Sequence, residues 1–139
     1  MADSARSRGE MLAAVSNGLV HLHRQYYGKG PTKAKTYAMN DLVLCMLHGG
    51  MTTVERTLVD QGAADTVHMM RSSFQQVMEE DFTAVVEEAT GRKVDAYMSQ
   101  THPNGIAVEL FMMEPLEDPQ RHKEHDFDRE DQPGPTPAE

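Results

Sequence analysis

Two glycines divide the sequence into similar halves, and that division constrains the fold more than any other feature. Residues 10 to 27 place Met11, Val15, Leu19, Leu22 and Tyr26 at steps of three and four, one face of a helix, and the run meets Gly28, a residue suited to ending a helix. Residues 63 to 89 repeat the logic at greater length. Val67, Met70, Phe74, Val77, Met78, Phe82, Val85 and Val86 form the apolar stripe, Glu79, Glu80, Asp81, Glu87 and Glu88 mark the wet side, and Gly91 is the stop. Two strand-like runs follow each glycine. In the first half they are KAKTYAM and LVLCMLH, joined by Asn40-Asp41, residues that tolerate the backbone of a tight hairpin. In the second they are KVDAYMS and IAVELFMM, joined by THPNG. A short helix is expected over residues 52 to 61, capped by Thr52 or Thr53, with Glu55 in its first turn where an acid suits the helix dipole. The expected fold is α+β: two helix-strand-strand pseudo-repeats forming a four-stranded antiparallel sheet with helices on one face.

A chain of 139 residues, 39% apolar and 25% charged, suits one domain of ordinary composition, placed here at residues 10 to 114 after a flexible start over 1 to 9. The charge is uneven. Residues 114 to 139 carry nine acids against Arg121, Lys123 and Arg129, whereas the whole chain nets −9. An acidic stretch ending PGPTPAE cannot bury enough apolar surface to fold, so 115 to 139 is expected to be a disordered tail. The one cysteine, Cys45, forms no intrachain disulfide, and the N-terminus lacks the apolar run of a signal peptide. No stretch reaches the ~20 apolar residues of a membrane span, so no direct membrane insertion is expected and a cytoplasmic location is.

The strand LVLCMLH is apolar on both faces. In IAVELFMM, Ile106, Val108, Leu110 and Met112 share one face, while Ala107, Glu109, Phe111 and Met113 share the other, which is therefore half apolar. A sheet covered by helices on one side has little reason for this unless a second subunit covers part of the other side, and a homodimer is expected.

Between the first helix and first strand, GKGPTKAK packs three lysines, two glycines and a proline into eight residues. As structure, Gly28 ends a helix, Pro31 forbids its resumption, and Lys33 and Lys35 guard a strand edge. As a site, Gly28, Lys29, Gly30, Thr32, Lys33 and Lys35 could hold an anion such as bicarbonate, phosphate or a nucleotide, or a protein partner. The loop is not a phosphate-binding P-loop: the spacing is wrong, and it follows a helix. A nucleic-acid interface through Arg24, Lys29, Lys33 and Lys35 is opposed by the net charge and the lack of an aromatic ladder. His21 and His23 sit two apart on a helix, unlike the four-residue spacing of helical metal pairs, and no metal or other cofactor is expected. Cys45, mid-strand among apolar residues, reads as an inert core thiol, and no nucleophile or acid–base pair stands out, so no enzyme is expected.

The stretch GKGPTKAKTYAMNDLVLCMLHGGMTTVERTL, with the following long helix, TGRKV and IAVELFMME, resembles the MpsC-like family of small bacterial proteins across residues 10 to 114. That family's name ties it to a cation-translocating, membrane-potential-generating system whose membrane subunits are related to bicarbonate uptake machinery. The resemblance carries over no catalytic or ligand residues. It implies an accessory or regulatory binding protein that acts beside a membrane transport-system protein.

Overall fold

The computed structural model describes residues 7–116. The expectations for residues 1–6 and for the acidic tail beyond Leu116 lie outside the described residues; of the start expected to be flexible, residues 7–9 cap and begin the first helix. The elements run α1 (Arg8–Tyr27), β1 (Lys33–Met39), β2 (Leu42–His48), α2 (Thr53–Asp60), α3 (Ala64–Thr90), β3 (Val94–Thr101) and β4 (Ala107–Met113). Three helices and four antiparallel strands in the order β1-β2-β4-β3 make an α+β fold. The helix starts follow local chemistry. Ser7 and Glu10 close a reciprocal capping box on α1, and Thr52 and Glu55 close another on α2. Gly28 and Gly91 end α1 and α3 in the left-handed conformation, with φ of 78° and 69°. Asn40, at φ 53°, makes the two-residue turn between β1 and β2.

α1 packs on β1 and β2, α3 packs on β3 and along α1, and α2 packs on α3. All lie over one face of the sheet. The core between the layers joins Val15 and Leu19 of α1 and Met78, Phe82 and Val86 of α3 to Val43, Cys45 and Leu47 of β2 and Ala107, Phe111 and Met113 of β4. The expected stripe of α3 holds except at Val77, which is 66% exposed.

The mixed face of β4, Ala107, Glu109, Phe111 and Met113, lies under the helices, and Val108, Leu110 and Met112 face away. The reason is that Phe111 fills the centre of the core while Glu109 finds polar partners there. Tyr97 donates its hydroxyl to Glu109 at 2.5 Å, and His23 Nε2 lies 3.5 Å from the other carboxylate oxygen. His23 Nδ1, 2.8 Å from the Leu19 carbonyl, must donate to it, so its other nitrogen faces the acid. Hydrogen-bonded by Tyr97, the buried acid is tolerated where a lone one is not.

α1 and α3 approach most closely at Gly18, where a Cβ would lie 2.5 Å from a Val85 methyl. Gly18→Ala is therefore expected to lower unfolding stability in urea by about 1–3 kcal/mol, despite alanine's better helix propensity. Val85→Ala in the same chain should recover most of that loss, because it reopens the contact.

Candidate functional site

The GKGPTK loop does not gather its lysines. Gly28 is the helix cap, and Gly30 lies against the Arg24 side chain. Lys29 points towards the start of α2, donating to the Met51 carbonyl at 3.2 Å. Thr32 pairs by its backbone and its hydroxyl with the His48 carbonyl. Lys33 and Lys35 are already in β1, on the sheet face turned away from the helices, with Lys35 5.2 Å over the Tyr37 ring. Lys29 lines a cleft with Thr52, Thr53 and Arg56. His48 and Cys45 lie on opposite faces of β2, so they cannot act together. Burial pushes the Cys45 thiol up to about 11, although the neighbouring Thr36 hydroxyl offsets part of the shift. Among the described residues, no group of three His, Cys, Asp or Glu side chains is placed to hold a metal ion.

Beneath the loop lies a lock that the sequence reading did not foresee. Arg71 of α3, 4% exposed, bonds the fully buried Glu55 of α2 with Nε at 2.5 Å and Nη2 at 2.7 Å. Its Nη2 also donates to the Gly50 carbonyl, and its guanidinium lies 3.9 Å over the Tyr27 ring at the end of α1. Burial raises the Glu55 carboxyl, but the Arg71 bonds and the Thr52 amide outweigh it and hold it below the usual carboxylate range. The same packing pushes the Tyr27 phenol up to about 12, chiefly through burial. Gly49, at φ +73°, must be glycine: a Cβ there would lie 2.3 Å from the Thr32 hydroxyl. The chain from Tyr27 to Glu55 brings a helix end, the loop after β2 and a helix start onto one arginine. Arg71 was detectable in principle, because it falls four residues after Val67 on the buried stripe of α3.

Among the described residues, the open face of the sheet is left uncovered. Strand register arranges it in rows. Tyr37, Leu44, Leu110 and Met98 form one row, and Met39, Leu42, Met112 and Ala96 form the next. Lys35, Met46, Val108 and Gln100 form a third, and Lys33 and His48 stand beyond it. Met39 is 66% exposed, Met98 55%, Tyr37 49% and Met112 39%. Two adjacent rows without a charge make a contiguous apolar patch, edged by lysine at one end only. Patches of this kind on a folded chain mark contact surfaces, and methionine adapts its shape to a partner.

Residues 7–114 match the family model described as Na+-translocating membrane potential-generating system (MpsC), and the chain belongs to that family. No curated protein and no solved structure matches it. Among the described residues, no helix is long and apolar enough to cross a membrane.

The buried pair yields a pH test. Arg71→Met strands Glu55 and is expected to cost about 3–5 kcal/mol of unfolding stability at pH 7. In the wild type the folded Glu55 pKa lies below its unfolded value, so its contribution is present above about pH 4.3 and is lost as pH falls through the folded value. Without Arg71, burial is opposed only by the Thr52 bonds, and the folded pKa rises above its wild-type value. The gap between variant and wild type should therefore narrow as pH drops from 7 to 4, as urea unfolding at each pH would show.

Proposed function

From membership of the MpsC family, we propose that this chain is a non-enzymatic accessory protein of a Na+-translocating, membrane-potential-generating system, acting from the cytoplasm as a homodimer. The observation that carries the reading is the open sheet face, an apolar surface built on a rigid frame and left uncovered by the chain's own helices. Ionisable side chains in the interior are engaged in structural bonds: Glu55 with Arg71, Glu109 with Tyr97. A chain of this design acts by touching another protein, and the family description supplies the class of system.

A second reading, anion sensing, draws on the cleft where Lys29 and Arg56 meet Thr52, Thr53 and Thr57 at the start of α2. It predicts that bicarbonate or phosphate raises the melting temperature of wild type but not of Lys29→Ala. The accessory reading is tested in cells that depend on the system. Deleting the chain should lower Na+-dependent membrane potential, read with a voltage-sensitive dye. Wild type should restore it, Lys29→Ala should restore it too, and Leu110→Asp should not. An unchanged potential in the deletion strain would contradict the assignment.

A further inference from the structure

We infer that two copies of this chain meet through the open faces of their sheets, about a two-fold axis that lies at right angles to the strands and passes by the Leu44–Leu110 row. The inference rests on the homodimer of the preceding reading, and it assigns that dimer a surface and an axis; it does not depend on the link to Na+ transport.

The area is sufficient. Four strands about 4.8 Å apart, carrying three rows of side chains spaced about 6.7 Å along the strand, span roughly 19 by 20 Å. Two such faces, with side-chain relief added, remove on the order of 1,000 Å² from water, the lower bound for a specific interface. Stacked sheets about 10 Å apart then form a two-layer sandwich whose interior is Leu, Met and Val, with helices on both outer sides. The residues that would be buried are those that the isolated chain leaves half covered: Leu42, Leu44, Met46, Val108 and Leu110.

Charge selects the axis. The face carries Lys33, Lys35 and His48 at one end of the strands and no acid in its rows. A two-fold axis parallel to the strands would gather the lysine ends of both copies together, where like charges repel. An axis perpendicular to the strands sends them to opposite ends. Lys35, Met46, Val108 and Gln100 then lie over the second copy's Met39, Leu42, Met112 and Ala96, and Lys33 extends towards that copy's β1–β2 turn. The row of Tyr37, Leu44, Leu110 and Met98 lies over its own counterpart, so Leu110 sits near the axis and Lys33 far from it.

The test uses the full chain. Analytical ultracentrifugation at tens of micromolar should show twice the 15.5 kDa chain mass for wild type and the chain mass for Leu110→Asp, with the dissociation constant raised at least 100-fold. Should that variant misfold, Met98→Glu serves at a side chain that is already 55% exposed. Under mild oxidation Leu110→Cys should form a disulfide-linked dimer, since Cys45 is buried, and Lys33→Cys should not. A monomeric wild type overturns both the dimer and this assignment; one that instead co-floats with vesicles gives the face to another occupant with the same effect. A wild-type dimer that survives Leu110→Asp and Met98→Glu overturns the surface but leaves the dimer standing. Faster linkage at Lys33→Cys than at Leu110→Cys overturns the axis.

Discussion

The buried bond between Arg71 and Glu55 organises this fold. Taking both charges out of water is costly, and only close geometry with further bonds offsets the cost. Here Glu55 holds two guanidinium nitrogens and the Thr52 amide, while Arg71 adds the Gly50 carbonyl and the Tyr27 ring. Four segments distant in sequence depend on that arrangement: the end of α1, the loop after β2, the start of α2 and the first third of α3. The helical layer is thereby held against the sheet as one body. A second tie holds the far end, where Arg92 reaches Asp41 at 2.6 Å and the Glu114 carbonyl at 2.9 Å, joining the α3 end to the first hairpin and the end of β4.

Much of this was legible in the sequence, because secondary structure answers to local rules. The first hairpin falls at residues 33–39 and 42–48, where alternating apolar residues and an Asn-Asp turn predict it. Both glycine stops hold, and Thr52 is the cap. What sequence could not show depends on tertiary pairing. The burial of Glu109 requires Tyr97, which comes from another strand. Arg71 and Glu55 each look solvated until the fold brings them together across sixteen residues. The unusual composition of the glycine-and-lysine loop serves three structural jobs: a helix cap, a close pass by Gly49, and the first residues of an edge strand.

The division of labour that follows is simple. The loops on either side of the first hairpin build the frame, and the doubly apolar β2 with the outer face of β4 supplies the surface. A strand apolar on both faces needs cover on both. The helices supply one cover and the chain supplies no second among its described residues. That unmet requirement is the ground for proposing the open face as a contact surface in this MpsC-family protein.

Methionine methyl groups report on this claim directly. Met39, Met98 and Met112 lie on the open face, and Met69 lies on α3; all four are exposed in the single chain, at 66%, 55%, 39% and 69%. Methyl NMR of the concentrated full-length protein with a soluble paramagnetic agent separates covered methyls from bare ones. The account predicts that Met39, Met98 and Met112 keep their signals while Met69 is broadened. Equal broadening of all four would mean that the sheet face stays in water and that the contact surface lies elsewhere.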